Sequence, residues 1–213
     1  MLITWDRLGL RSTPKGILHL GANTGEELDI YEKARVPLVV WFECNHRVLP
    51  YLRMHVECVP GHHVIEAAVS DKDNQEMEFH LTNNDASSSM LELEEHKEVY
   101  PAIREIGTQK VITTTVDRAL RAWDFKPEQF DFANLDLQGY ELKALQGMTS
   151  CLPHLQWIYT EVNFSKLYKD CCLIQDMDDF LEECGFKRIL TADTGLRWAD
   201  CLYARKGVTA HYA

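Results

Sequence analysis

Short apolar runs alternate with segments of helical periodicity along most of this chain. Five runs are apolar over nearly their whole length, at 16–20, 37–43, 63–69, 130–137 and 155–162. Such runs are typical of strands buried on both faces, and strands that alternate with helices form parallel sheets. The pattern therefore predicts an α/β fold with a mostly parallel sheet and helices on both faces.

Helical periodicity predicts helices over 26–34, 47–57 and 174–186. The last two apolar runs, 186–190 and 200–206, are separated by a turn-rich segment. Two strands joined in this way predict an antiparallel hairpin, which we expect at the edge of the sheet.

The region 70–124 interrupts the alternation. It contains two further candidate strands, 75–82 and 110–116, on either side of a polar loop and a charged candidate helix over 91–103. We expect this insert to be a lid or acceptor region within a single domain that spans residues 1–213, because no repeat or linker indicates a second domain.

The composition is that of an ordinary globular protein, with 46% hydrophobic and 26% charged residues among 213. No run approaches the roughly 18 apolar residues of a membrane helix, and the first residues do not resemble a secretory signal. We therefore expect a cytoplasmic protein without a membrane partner.

The formal net charge is −11, and the lysines and arginines are scattered along the chain. This disfavours binding to nucleic acid. The seven cysteines show no C-x-x-C spacing, so we expect them to be reduced and mostly buried. The sequence does not indicate an oligomeric state.

The first predicted strand leads into a turn with the sequence HLGANTGEE, residues 19–27. A strand-to-helix turn offers backbone N–H groups and the positive end of a dipole to an anionic group. A dinucleotide fold uses G-x-G-x-x-G, but here Asn23 and Glu26 replace the second and third glycines. Glu26 would repel a pyrophosphate, whereas a G-x-N-x-G turn suits the carboxylate and ammonium of an amino-acid tail.

Glu43 ends the second predicted strand, about 20 residues further on, where a carboxylate can accept both ribose hydroxyls. A ribose with an amino-acid tail and no phosphate describes S-adenosylmethionine. The alternative is that Gly21 and Gly25 only shape a turn and that Glu43 is a solvated strand end.

Over residues 16–190 the chain resembles the FkbM-like S-adenosylmethionine-dependent methyltransferases. The resemblance rests on HLGANTGEELDIY, WFECNHRVL, EAAVSDKDNQEMEFHLTNN, SSSML, TTTVDRAL, LDLQGYELKALQGM and IYTEVN, in this order. It implies a class I methyltransferase fold, which is Rossmann-like, with seven strands and an antiparallel last strand. It also implies O-methylation, often of a sugar or natural-product hydroxyl.

The resemblance places Gly21, Asn23 and Gly25 around the methionine part of the cofactor and Glu43 at the ribose, with Cys44 and Asn45 beside it. It places Ala68, Val69 and Ser70 at the adenine and Asp136 beside the methyl donor. The family usually has Asp where this chain has His19. Such an Asp stabilises the glycine turn or binds the cofactor ammonium, so it is in doubt whether His19 does either. The expected cofactor-binding residues are His19, Gly21, Ala22, Asn23, Thr24, Gly25, Glu26, Glu43, Cys44, Asn45, Ala68, Val69, Ser70, Ser88, Asp136, Leu137 and Gln138.

Methyl transfer to a hydroxyl requires a group that takes its proton. Asp136 and Glu161 end two predicted neighbouring strands, so their carboxylates are expected to face one crevice. We expect Asp136 to be the base or a positioning group. We expect Glu161 to be the alternative base or a residue that binds substrate hydroxyls. The alternatives are that Asp136 caps the following helix and that Glu161 pairs with Lys166.

The same carboxylates could hold Mg²⁺ or Mn²⁺ together with neighbouring amide oxygens, but we do not expect a required metal. His80, in the insert, is a further candidate catalytic base, although a structural role is the more common one for a lone strand histidine. Asn163, Lys166 and Tyr168 follow the last central strand and are candidate acceptor contacts. Ser88 belongs to a serine-rich loop that could close on the site or be a plain surface turn.

The sequence thus favours an S-adenosylmethionine-dependent O-methyltransferase that acts on a hydroxyl of a sugar or glycan. A small natural product or a lipid is an alternative acceptor. Two other functions stay open: an NAD-dependent oxidoreductase, and a non-catalytic accessory protein that binds the cofactor.

Overall fold

The computed structural model describes residues 8–10 and 12–208. Its strands are β1 Ile17–Leu20, β2 Val39–Glu43, β3 His62–Glu66, β4 Ala68–Val69, β5 Glu76–Thr82, β6 Glu105–Thr114, β7 Phe132–Leu135, β8 Trp157–Asn163, β9 Phe186–Asp193 and β10 Trp198–Arg205. Its α-helices are α1 Leu28–Lys33, α2 Leu49–Val56, α3 His96–Val99, α4 Val116–Ala122, α5 Glu141–Gln146 and α6 Ile174–Glu183.

Seven strands form one sheet in the order β3-β2-β1-β7-β8-β10-β9. The pairs among β3, β2, β1, β7 and β8 are parallel, and β10 runs antiparallel to both β8 and β9. This confirms the predicted mostly parallel sheet with an antiparallel last strand. The expected hairpin is also present. Of its two strands, β9 forms an edge of the sheet, whereas β10 lies inside the sheet.

Successive side chains of a strand point to opposite faces of the sheet. In the central strands, the side chains on both faces are buried. Leu18 belongs to the core on one face, and Ile17 to the core on the other. The helices contribute apolar stripes to these cores. In α2 the buried residues are Leu49, Leu52 and Val56, and in α6 they are Met177 and Leu181.

The apolar run 63–69 does not form one strand. It is divided after Glu66, and Ala68–Val69 instead pairs in parallel with β6. With β5, these strands form a second sheet in the order β4-β6-β5. The expected strand was wrong here because two sheets meet within a single apolar run.

The charged candidate helix 91–103 is only one turn long, at His96–Val99. The residues before it pair with the chain that follows β8. Leu93 bridges Tyr168, and the N–H groups of Glu94 and His96 donate to the carbonyl of Leu167 at 2.9 and 3.0 Å. These contacts between distant parts of the chain replace the local helix. Among the described helices, none is long and apolar enough to cross a membrane.

Candidate active site

A cleft opens at the carboxyl ends of β1, β2 and β7, where strand order reverses between β1 and β7. Ligands in open α/β sheets bind at such positions. The cleft and its mouth enclose about 990 Å³. It is lined by His19, Gly21, Ala22, Asn23, Glu26, Glu27, Phe42, Glu43, Cys44, Asn45, Val48, Ala67, Ala68, Val69, Phe79, Asp85, Ala86, Ser88, Met90, Asn134, Leu135, Asp136, Leu137, Gln138, Tyr159 and Asp200.

Most of the expected cofactor-binding residues line this cleft. Thr24, Gly25 and Ser70 do not. A Cβ on Gly25 would lie 3.0 Å from the side chain of Val56, so this glycine is needed for contact with α2. The Ser70 hydroxyl lies 3.0 Å from the hydroxyl of Tyr140, behind the cleft wall.

The glycine turn uses its own N–H groups to hold the end of β2. Those of Gly21 and Ala22 donate to the carbonyl of Phe42 at 3.0 Å, and that of Asn23 donates to Glu43 Oε2 at 2.8 Å. The N–H groups of Gly21, Ala22 and Asn23 are thus already occupied by strand β2, so of the groups that the sequence predicts to meet the cofactor carboxylate these three are engaged elsewhere. The side-chain amide of Asn23 stays a predicted partner.

Glu43 is held at the cleft by three backbone donors. Oε1 accepts from the N–H groups of Cys44 at 2.8 Å and Asn45 at 2.7 Å, and Oε2 accepts from Asn23. Burial raises the pKa of this carboxyl, and the three hydrogen bonds oppose that rise. Each carboxylate oxygen can accept about two hydrogen bonds, so Oε2 can still accept one from a ribose hydroxyl.

The adenine side of the cleft is apolar. The insert supplies part of its wall. The apolar residues of this wall are Val48, Ala67, Ala68, Val69, Phe79 and Met90. Ser88 is 7% exposed, and its Oγ accepts from the N–H of Thr82 at 3.0 Å, so the serine loop is not a plain surface turn.

Asp85 is a cleft residue that the sequence analysis missed. Its Oδ1 accepts from Asn45 Nδ2 at 3.3 Å and lies 3.4 Å from Arg47 Nε. Because Asn45 and Arg47 follow β2, this contact ties the insert to the ribose side of the cleft. No local sequence signal connects the two segments.

His19 belongs to a buried network. Its ring stacks on Trp41 with centroids 4.7 Å apart, and its Nδ1 lies 3.1 Å from the Tyr31 hydroxyl. Burial lowers its pKa to about 4, against the opposing effect of Glu27, so the ring is neutral at neutral pH. A neutral ring is a weaker partner for a cofactor ammonium than an Asp, and the contacts of His19 are with the buried rings of Trp41 and Tyr31.

Asp136 follows β7 and faces the open cleft. Its Oδ1 accepts from Gln138 Nε2 at 2.6 Å. The surrounding protein displaces water and raises its pKa to about 6, and Asp200 adds to this rise while the bond from Gln138 opposes it. Asp136 does not cap the next helix, because α5 begins at Glu141 with Tyr140 at its N-cap.

Glu161 lies behind Asp136. It is 7% exposed, does not line the cleft, and its Oε2 accepts from Gln138 Nε2 at 3.2 Å. Burial raises its pKa well above the ordinary value, and the charge of Asp136 raises it further. Only Asp136 therefore faces the cleft, whereas the sequence predicted that both carboxyl groups would; the amide of Gln138 links the two.

Asp200 joins this group and was not expected from the sequence. It lies opposite Glu161 in the β8–β10 pairing and accepts a hydrogen bond from the hydroxyl of Tyr159. An Asp within the apolar segment WADCLYA was a possible signal, but only the register of β10 brings it to the cleft.

The remaining candidates lie outside the cleft lining. His80 Nδ1 lies 3.0 Å from Glu105 Oε2 on β6, and its position outside the cleft lining does not support a role as base. Asn163 is buried and Lys166 is exposed, and among the described residues Lys166 forms no ion pair with Glu161. Tyr168 reaches the site indirectly, because its hydroxyl donates to Gln138 Oε1 at 2.6 Å.

The described residues contain no group of three or more His, Cys, Asp or Glu side chains placed to hold a metal ion. The possibility of Mg²⁺ or Mn²⁺ therefore has no support from the donor geometry. The cleft does fit S-adenosylmethionine, since it combines a ribose acceptor at Glu43 with an apolar adenine wall and carboxylates near the glycine turn. Carboxylates of this kind suit the positive sulfonium and ammonium groups.

The fold resembles solved methyltransferase structures. A Listeria monocytogenes protein with a proposed S-adenosylmethionine-dependent methyltransferase activity is 8% identical, with a TM-score of 0.52 and 92% of each chain covered. An S-adenosylmethionine-dependent methyltransferase from Aquifex aeolicus is 12% identical, with a TM-score of 0.47, 93% of this chain and 85% of that chain covered. Magnesium protoporphyrin IX methyltransferase from Synechocystis is 10% identical, with a TM-score of 0.47, 89% of this chain and 69% of that chain covered.

The Listeria likeness shows a shared class I methyltransferase fold and nothing further. No curated protein matches the sequence. The model of the methyltransferase FkbM domain matches residues 19–188, which include the glycine turn, Glu43, Asp136 and Glu161. This match contradicts the NAD-dependent alternative. The chain belongs to the FkbM family of S-adenosylmethionine-dependent methyltransferases.

Proposed function

We propose that this methyltransferase transfers its methyl group to a hydroxyl oxygen, and that the acceptor is a sugar or glycan. The observation that carries the proposal is the carboxyl group of Asp136, which lies beside the glycine turn and faces the cleft. A hydroxyl is almost fully protonated at neutral pH, so its methylation requires a proton acceptor at the reacting oxygen.

Asp136 is suited to this role. With its pKa raised to about 6, it is a stronger base than an ordinary aspartate and is still ionised at neutral pH. Gln138 holds Oδ1, and we assign Oδ2 to the acceptor proton. S-adenosylmethionine, when bound, supplies an electrophilic methyl group. The remaining task of the site is to align the acceptor oxygen with that group.

The preference for a sugar rests on the polar groups around Asp136. Asn134, Tyr159 and Asp200 also line the cleft and present polar atoms to it, whereas the amide of Gln138 is already taken up by Asp136, Glu161 and Tyr168. Several hydroxyls on one acceptor could be matched there. A lipid or an aromatic natural product would instead need an apolar acceptor surface, but Phe79 and Met90 belong to the apolar wall that we assign to the adenine of the cofactor.

The insert 70–124 is the candidate lid, within a single domain. Its residues Phe79, Asp85, Ser88 and Met90 line the cleft, so its position decides how a ligand enters. Asp85 ties this wall to Asn45, which also holds Glu43 in place through its N–H. We expect the lid and the ribose site to order together when the cofactor binds.

Mass spectrometry can test the proposal. The protein is incubated with deuteromethyl-labelled S-adenosylmethionine and a panel of nucleotide sugars, glycans, hydroxylated lipids and aromatic natural products. We expect labelled methyl on a sugar hydroxyl, and a loss of most of this activity in Asp136→Asn. Label on nitrogen or carbon, or only on lipid or aromatic acceptors, would contradict the proposal. Cofactor binding without any product would favour the accessory alternative.

A further inference from the structure

The side-chain amide of Gln138 forms hydrogen bonds to several parts of the site. Its Nε2 donates to Asp136 Oδ1 at 2.6 Å and to Glu161 Oε2 at 3.2 Å. Its Oε1 accepts from the hydroxyl of Tyr168 at 2.6 Å. One amide group thus joins the ends of β7 and β8 to the segment after β8.

Tyr168 fixes which way this amide points. The tyrosine is 1% exposed, and its hydroxyl lies 2.6 Å from Gln138 Oε1 and 3.4 Å from the carbonyl oxygen of Ser87. The shorter contact makes Gln138 Oε1 the main acceptor of its hydrogen. The –NH₂ group must then face the carboxyls, and its two hydrogens match the two carboxyl oxygens. A reversed amide would place an oxygen against the ionised carboxylate of Asp136.

The backbone also holds Gln138 in this position. Its φ is +54°, in the left-handed region that non-glycine residues seldom adopt. The flanking N–H groups of Leu137 and Gly139 donate to Glu141 Oε1 at 2.8 and 3.1 Å, and Ser89 Oγ donates to the carbonyl of Gln138 at 2.8 Å. A strained backbone conformation that neighbouring hydrogen bonds hold in place is typical of a functional position.

The two carboxyl groups are unequal in their surroundings. Asp136 faces the cleft, whereas Glu161 is 7% exposed and does not line it. Burial raises the pKa of both carboxyl groups, and the charge of Asp136 raises that of Glu161 further. The other titratable groups that act on the pair are Glu27 before α1, Glu141 on α5, Tyr168 after β8 and Asp200 on β10.

We propose that Gln138 is the positioning residue of this site: oriented by Tyr168, its amide fixes Asp136 towards the cleft as the proton acceptor and leaves Glu161 behind it as the carboxyl that keeps a proton. This inference rests on the proposed role of Asp136 and adds the residue that selects it over Glu161. The –NH₂ group stabilises the ionised Asp136 without a net charge of its own.

Side-chain ¹³C NMR of the whole protein tests this without an acceptor. Carboxyl resonances are followed between about pH 4 and pH 9. Because coupled groups titrate as a pair, the resonances are assigned with the variants Asp136→Asn and Glu161→Gln. In Gln138→Leu we expect the lower of the two midpoints to rise by about one pH unit, because the ionised form loses its donor. Tyr168→Phe should shift it in the same direction by less.

Gln175→Leu is the matched control, since Gln175 Nε2 donates to Asp179 Oδ1 at 2.7 Å on the surface of α6. It should leave both midpoints unchanged. An unchanged midpoint in Gln138→Leu, or an equal shift in Gln175→Leu, would overturn the proposal. If Gln138→Leu does not fold, Tyr168→Phe decides in the same way. Failure to find methyl transfer would leave this titration unaffected, so the two proposals fail separately.

Discussion

Gly21 lies against the carbonyl oxygen of Asp136, so closely that a Cβ on Gly21 would be 1.9 Å from that oxygen. The glycine turn and the candidate base are therefore packed directly onto each other. Gly21 also has φ +81°, which disfavours any L side chain. The first glycine of the motif therefore allows the turn after β1 to pack against the end of β7.

Gly21→Ala should destabilise the fold by about 2 kcal/mol more than Gly195→Ala does. Both glycines have positive φ, but a Cβ on Gly195 meets nothing within 4 Å, so this control isolates the contact with Asp136. The free energy of unfolding in urea measures the difference. Equal losses in the two variants would mean that the contact at Gly21 relaxes freely.

His19→Asp should lower the free energy of unfolding by about 3 kcal/mol, although the family usually has Asp here. His19 is 2% exposed and its Nε2 lies 3.8 Å from Glu27 Oε2, so a new carboxylate would be buried beside an existing one. Thermal unfolding compares it with His19→Asn, which adds no charge and should cost less. A variant as stable as wild type, with tighter cofactor binding, would contradict this account.

Glu141 should make stability depend on pH. Burial raises its pKa from 4.5 to about 7, so between these values the native state holds a proton that the unfolded state releases. Stability from this residue is therefore present below pH 4.5 and falls as pH rises towards 7, by an amount on the order of 2 kcal/mol.

Urea unfolding at several pH values checks this dependence. In Glu141→Gln the decline across the same window should be smaller than in wild type, since the amide does not titrate. Glu78→Gln, at an exposed position of β5, should keep the wild-type profile. A decline of the same size in Glu141→Gln would show that other groups cause it.

The fold was largely predictable because its central strands are buried on both faces and leave uninterrupted apolar runs. The short β4 was not, since Ala68 and Val69 continue the apolar run of β3 and leave the large sheet only through their pairing with β6. The pairing of Leu93 with Tyr168 was likewise invisible, because it joins segments far apart in the sequence.

The site was predictable where its residues follow predicted strands, as Glu43 and Asp136 do. Asp200 was missed because its place beside Glu161 depends on the register of an antiparallel strand. His80 was misplaced for a related reason: its position in β5 gave no indication that its side chain would pair with Glu105 outside the cleft. Sequence patterns identify strand ends better than they identify the register between distant strands.

Isothermal titration with S-adenosylhomocysteine tests most directly whether this cleft holds the cofactor through Glu43. We expect Glu43→Gln to lose at least about tenfold in affinity, since it removes a charged acceptor of ribose hydroxyls. Glu66→Gln is the control: Glu66 lies beside Glu43 at the end of β3 but pairs with Arg53 on the surface, and its affinity should stay within about twofold of wild type. No heat with the wild-type protein, or equal losses in both variants, would contradict the account.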